Sequence, residues 1–246
     1  MKTVFAFFFI CILSIFFITE GAFSCPTKDA VKKAAKNTFK RDLEVVEVTP
    51  GPMPGVCQAQ VKLQGQNRIL YTDEAGKFLI AGQIFRVSDG VNLTRQNLAE
   101  MNRLTKEEME KLKSLTAFTI GSGKKVVYFV TDPMCPYCKK AEEILEPLAK
   151  MGKIQVRFLL FPLRFHKGAK EQCISIICDK KGLEGLKKQY KSNNQCQEGK
   201  QKVEDTIRML SSKGIGGTPT YIFEDGLYHS GVLQEKALKE RLGIKD

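Results

Sequence analysis

Apolar positions recur along this chain with two different periods. Over residues 26–40, Ala30, Val31, Ala34, Ala35 and Phe39 fall at helical spacing with lysines between them, which predicts an amphipathic helix. Residues 43–49 then read as a strand, and Pro50-Gly51-Pro52-Met53-Pro54-Gly55 is a turn that no helix or central strand tolerates. Short strand-like runs follow at 56–63, 68–71, 78–83 and 84–87, separated by turn signals such as Asp73-Glu74-Ala75-Gly76. These elements predict a small antiparallel sheet with one helix over residues 25–90. A unit of that size is marginal by itself and gains stability by pairing with a copy of itself.

Residues 94–115 are highly charged, with a narrow apolar stripe of Leu98, Met101, Leu104, Met109, Leu112 and Leu115; they predict a helix linking two domains over 91–115. A second unit runs from 116 to 246. Residues 124–131 form a buried-type strand, Asp132-Pro133-Met134 turns the chain, and a helix opens at Cys135-Pro136-Tyr137-Cys138. Ala141, Ile144, Leu145 and Leu148 give that helix its apolar face, and Pro147 is expected to kink or shorten it. With the apolar strand at 154–161 this makes a βαβ unit with a parallel strand pair. A helical insert (168–213), a strand (220–223), the turn Glu224-Asp225-Gly226, a partner strand near 227–230 and a closing helix (233–242) complete an α+β chain.

The first residues change where these domains are expected to work. Lys2, an apolar run over 4–18 and the small residues Ala22 and Ser24 read as a leader, residues 1–24, cut after Ser24. A membrane span needs about 20 apolar residues, and the run is shorter. Of the eight cysteines in 246 residues, Cys11 leaves with the leader, and the other seven enter an oxidising compartment where disulfides persist. An odd number leaves at least one thiol free or paired between chains. With 43% hydrophobic and 27% charged residues the composition is that of a globular protein. The net charge of +12 comes from lysines spread along the chain with no nucleic-acid-binding motif, so it reads as solvated faces and not as a nucleic-acid site.

The chemistry concentrates at Cys135-Pro136-Tyr137-Cys138. Cys135 falls at the helix N-cap, and Pro136 at the first helical position, where its missing N–H costs nothing. The free N–H groups of Tyr137 and Cys138 are expected to point at the Cys135 sulfur, and the helix N-terminus favours its thiolate, with Lys139 and Lys140 adding positive charge. Cys138, on the same face, is expected to be the less exposed, resolving partner. Zinc would need a second such pair or histidines at ligand spacing; His166 and His229 do not supply it, so neither a metal nor another cofactor is expected.

Residues 129–138 (Phe-Val-Thr-Asp-Pro-Met-Cys-Pro-Tyr-Cys), Phe158-Leu159-Leu160-Phe161-Pro162 and Gly217-Thr218-Pro219-Thr220 together resemble the DsbC/DsbG group of periplasmic disulfide isomerases. The resemblance covers nearly all of the chain after the leader. It implies a thioredoxin-like α/β domain with a helical insert, preceded by a linker helix and an N-terminal domain that forms a V-shaped homodimer. It also implies a cis peptide bond at Thr218-Pro219 facing the dithiol and a bound substrate strand, and a structural disulfide between Cys178 and Cys196. Cys173, on the same helix as Cys178, reads as a buried free thiol. The family pattern does not cover Cys25 and Cys57. They are the two cysteines left in the N-terminal domain and are expected to pair, with acylation of Cys25 still open. The implied partners are misfolded secreted proteins and a membrane thiol reductant of DsbD type, with chaperone activity alongside isomerisation. Three alternatives stay open: a dedicated reductase, acting on single oxidised cysteines as in DsbG or in cytochrome c maturation, a monomeric oxidase and a non-enzymatic holdase. The proline inside the motif resembles DsbG, and the Cys178 and Cys196 pair resembles DsbC.

Overall fold

A computed structural model describes residues 23–244. The leader expected over residues 1–24 lies outside them, apart from Phe23 and Ser24. Helix α1 (Lys28–Phe39) is started by Thr27, whose hydroxyl accepts from the Ala30 N–H (3.2 Å). Its Val31 and Ala35 pack against Leu43, Ala59, Val61 and Leu70 on one face of an antiparallel sheet. That sheet has the order β1 (Glu44–Pro50), β2 (Val56–Leu63), β3 (Gln66–Asp73), β4 (Leu79–Ile80). The two-residue β2–β3 connection, Gln64-Gly65, has both φ angles positive (53° and 77°), the backbone that matches strand twist in a tight hairpin.

Two strand expectations shrink. The run predicted over 78–83 contributes only β4, because the Asp73 carboxylate accepts from the N–H groups of Lys77 (2.7 Å) and Phe78 (2.9 Å) and gathers the chain into a loop. The run predicted over 84–87 is reduced to β5 (Phe85–Arg86), which pairs with β6 (Val91–Asn92) in a separate ribbon.

Where the sequence predicts one helix over 94–115, the structure has two: α2 (Leu93–Met101) and α3 (Lys106–Leu115). Thr105 caps α3 in a reciprocal pair with Glu108, which starts a new helix instead of continuing the old one. Before it, Asn102 bonds back to the Leu98 carbonyl (3.0 Å) and accepts from the Asn67 side chain of β3 (2.9 Å). Leu104, Leu112 and Leu115 join the core of the second unit with Tyr128, Val130, Leu159 and Ile215. The α2–α3 junction is also tied to the turn at Asp225-Gly226: Leu104 N–H donates to the Gly226 carbonyl (3.0 Å), and Arg103 to that of Asp225 (2.6 Å). Gly226 has φ 81°, and a Cβ there would collide with the Leu104 carbonyl, so this position requires glycine.

The second unit is built on β7 (Phe118–Ile120), β8 (Lys125–Thr131), α4 (Pro136–Lys150), β9 (Ile154–Leu160), α5 (Ala169–Cys178), α6 (Gly182–Lys187), α7 (Gln197–Ser212), β10 (Thr220–Phe223), β11 (Tyr228–Ser230) and α8 (Glu235–Leu242). Its sheet order is β11-β10-β8-β9-β7, with β8 and β9 parallel and the remaining pairs antiparallel. Phe129 of β8 packs edge-on against Phe158 of β9 (5.5 Å between centroids) inside a core that includes Leu145 and Leu148 of α4. Helix α4 runs on through Pro147 to Lys150, so the proline does not end it there. The whole is an α+β chain: an antiparallel-sheet domain, connecting helices, and a thioredoxin-like domain carrying a helical insert.

Candidate active site

The end of β8 delivers the site. Asp132, the first residue past the strand, is buried, and its carboxylate is fully satisfied. Oδ1 accepts from the Met134 N–H (2.7 Å). Oδ2 accepts from the Leu163 N–H (2.6 Å) and contacts His166 Nδ1 (2.9 Å). Its backbone carbonyl accepts from the Cys135 N–H (3.0 Å). This one side chain thus holds the turn before the dithiol to the loop after β9. Neither Asp132 nor His166 was singled out from sequence, because 34 residues separate them and no spacing links them.

Cys135 is the N-cap of α4, in extended conformation, and Pro136 is the first helical residue. The expected bonds from the Tyr137 and Cys138 N–H groups to the Cys135 sulfur are not formed. The Cys135 thiol instead donates to the carbonyl of Thr218 (3.6 Å). That carbonyl belongs to the Thr218-Pro219 peptide bond across the site, which is cis. The structure thereby brings Cys135, Pro136, Cys138, Thr218 and Pro219 together. Tyr137 points outward, 60% exposed, with the Lys140 ammonium 5.7 Å from its ring centre.

Both sulfurs are free thiols, Cys135 at 3% exposure and Cys138 at 0%. Burial pushes the Cys138 thiol up to about 12, opposed by the hydroxyls of Thr131 and Thr218 and the backbone at Asp132. Cys138 therefore stays protonated at neutral pH unless a base takes its proton. One turn further along α4, Glu142 is 5% exposed and accepts from the Thr131 hydroxyl (3.2 Å). Burial raises its carboxyl to about 7, against the pull of the Thr131 hydroxyl, Lys187 and Lys139. The sequence did hold a signal for Glu142: an acid four residues after Cys138 on the apolar face of α4, between Ala141 and Leu145.

The other described cysteines form two bridges and leave one thiol. Cys178, at the end of α5, is bonded to Cys196, the N-cap of α7. Cys25 is bonded to Cys57 of β2, which occupies the sulfur that acylation would need. Cys173 is a fully buried free thiol, its pKa raised well above the ordinary value by burial. Among the described residues no cluster of histidine, cysteine and carboxylate side chains could hold a metal ion.

A dithiol at a strand-to-helix junction of a thioredoxin-like domain, faced by a cis-proline loop, defines a class of enzyme: the thiol:disulfide oxidoreductases. Comparison with known proteins gives the same class. Residues 113–243 match the thioredoxin-like domain, and residues 22–95 match the N-terminal domain of disulfide bond isomerase proteins. The chain is 26% identical to a probable thiol:disulfide interchange protein DsbC of Bordetella avium, over 88% of this chain and 75% of that one. It is 25% identical to thiol:disulfide interchange protein DsbC of Salmonella typhimurium, over 81% of each. Over 39% of each chain it is 32% identical to thiol:disulfide interchange protein DsbG of Pseudomonas aeruginosa. The protein belongs to the thioredoxin-like family, within its DsbC/DsbG group of thiol:disulfide interchange proteins.

Proposed function

We propose that this protein is a periplasmic disulfide isomerase that rearranges wrong disulfides in secreted clients through Cys135. The observation that carries the reading is the asymmetry of the dithiol. Cys135 sits at the helix N-terminus against the cis-proline loop, and Cys138 lies deeper and is held as a thiol. In the proposed cycle the Cys135 thiolate attacks one sulfur of a client disulfide; a Cys135–client bond forms and the other client sulfur leaves as a thiolate. If another client thiolate then attacks the mixed disulfide, a new client disulfide forms, Cys135 is released, and no net oxidation has occurred. If Cys138 attacks instead, the Cys135–Cys138 disulfide forms, the client leaves reduced, and an external dithiol must reset the site. A membrane reductant of DsbD type fits that need. The N-terminal domain serves as the homodimer contact, giving two dithiols one client and supporting chaperone activity.

The leader expected at residues 1–24 supports the periplasmic location. Among the described residues no helix is long and apolar enough to cross a membrane.

Refolding of scrambled ribonuclease tests the reading. The wild-type protein is expected to restore activity and Cys135→Ala to lose it; a fully active Cys135→Ala protein would leave only the holdase. Light scattering is expected to give a dimer, and a monomer would favour an oxidase. A second reading, a DsbG-type reductase of single oxidised cysteines, is favoured by the proline in the motif and by the 32% identity to DsbG of Pseudomonas aeruginosa. Faster turnover of a sulfenylated client than of scrambled ribonuclease would select it.

A further inference from the structure

Glu142 is a buried carboxyl that the cycle above does not use. It lies one helical turn beyond Cys138 on the inner face of α4, and the Thr131 hydroxyl stands between the two. That hydroxyl donates to Glu142 Oε1 (3.2 Å) and also lies against the Cys138 sulfur. A hydroxyl has one proton and two lone pairs. While Thr131 donates to an ionised Glu142, its oxygen can accept from the Cys138 thiol. When Glu142 is protonated and donates to Thr131, the hydroxyl proton is free to turn toward a Cys138 thiolate. The hydroxyl thus has a donor and an acceptor role to offer at each end of a two-proton relay.

We infer that Glu142, acting through the Thr131 hydroxyl, takes the Cys138 proton and so decides whether a mixed disulfide ends in reduction or in isomerisation. The inference rests on the mixed-disulfide cycle proposed above. In the step, the Cys138 proton passes to the Thr131 oxygen as the Thr131 proton passes to the Glu142 carboxylate. The Cys138 thiolate then attacks Cys135 of the mixed disulfide. The Cys135–Cys138 bond forms, the Cys135–client bond breaks, and its electron pair leaves on the client sulfur. The protein dithiol is oxidised and the client disulfide reduced. With Glu142 already protonated the relay has nowhere to deliver the proton. Cys138 then stays a thiol, and the mixed disulfide lives long enough for another client thiol to attack.

The surroundings make this choice pH-dependent near neutrality. Lys139 on α4 and Lys187 from α6 favour the ionised acid, while Glu146 on α4 and burial oppose it; burial dominates and sets the carboxyl at about 7. Lys187 is itself paired with Glu146, which blunts both of their effects on Glu142. Above that pH resolution by Cys138 is favoured, and below it isomerisation.

The test is a single turnover with a pre-reduced protein and a peptide carrying one disulfide, acid-quenched, alkylated and read by mass. In the wild type the Cys135 mixed disulfide is expected to decay with a rate that steps up through about pH 7. In Glu142→Gln that step is expected to vanish and the lifetime at pH 8 to lengthen roughly 100-fold, the scale of general-base assistance. Isomerisation of scrambled ribonuclease is expected to be retained while insulin reduction falls. Thr131→Val should reproduce Glu142→Gln, and Thr131→Ser should behave as wild type, which a purely structural role would not produce. Wild-type lifetimes and pH profile in both Glu142→Gln and Thr131→Val would overturn the inference while leaving the isomerase reading standing. A wild-type protein that traps no peptide at Cys135 would overturn both.

Discussion

Asp132 Oδ2 and His166 Nδ1 lie 2.9 Å apart and join the turn that precedes the dithiol to the loop that follows β9. The same carboxylate also satisfies the N–H groups of Met134 and Leu163 inside the protein. Asp132→Ala would leave both part-buried donors without this partner, at about 1–3 kcal/mol each. It is expected to lower stability in urea titrations by at least 2 kcal/mol. Cys135 should also become more accessible to alkylation, because the bond from the Met134 N–H to Oδ1, which holds the turn just before it, is lost. His166→Ala removes one contact and is expected to cost less.

The two thiols should react very differently. With Cys138 held near 12, its thiolate is scarce at pH 7.5, and its sulfur is covered. In a Cys135→Ser protein, iodoacetamide is expected to modify Cys138 at least roughly 100-fold more slowly than a free cysteine, because only the thiolate reacts. Equal rates would show the burial to be wrong.

Glu142 leaves a signature in stability as well as in turnover. Its folded pKa, about 7, lies above the ordinary carboxyl value of 4.5, so the folded protein binds the proton more tightly than the unfolded chain. Stability therefore falls as pH rises from about 4.5 to 7, and the full penalty is present above that window. Glu142→Gln is expected to be more stable than wild type at pH 8, by roughly 3 kcal/mol, and indistinguishable from it at pH 4. Thermal melts at the two pH values read this directly.

Each structural disulfide closes a long loop, with Cys196 18 positions after Cys178 and Cys57 32 positions after Cys25. Replacing either pair by alanines is expected to cost roughly 3 kcal/mol through the freed unfolded chain. Neither pair touches the dithiol, so insulin reduction by the folded fraction should persist. Denaturant midpoints and activity measured on one preparation separate the two effects.

Helix α3 should behave as part of the thioredoxin-like unit. Leu112 is fully buried in that core. Leu112→Ala is expected to cost about 2–5 kcal/mol, and a comparable truncation at the half-buried Leu98 of α2 much less.

What could be read from sequence was local. The helix opening at Cys135-Pro136, the strand at 56–63, the strand read at 154–161 and found at 154–160, and the βαβ order all follow from spacing and turn residues. The break at Asn102–Thr105 was written in the chain as a capping box, Thr105 to Glu108, but the apolar stripe ran straight across it. The shortening of the strand near Phe78 depends on one carboxylate, Asp73, gathering two backbone donors. The environment of the dithiol is assembled from distant segments, with Thr218 reaching Cys135 and His166 reaching Asp132. No periodicity encodes such contacts. Glu142 lies between these cases: its position was readable, but its burial depends on how α4 packs over β8.

A protein that shuffles disulfides is exposed to its own chemistry, and an odd thiol in the same chain is a hazard. Among the described cysteines, two bridges and one dithiol leave Cys173 as the remainder, and it is sealed in the core of the second unit. Sequestered there, it can neither cap Cys135 nor attack the bridge that begins five residues later at Cys178. That thiol therefore gives the folded protein no route to becoming its own client, a protection that lasts only as long as α5 stays in place.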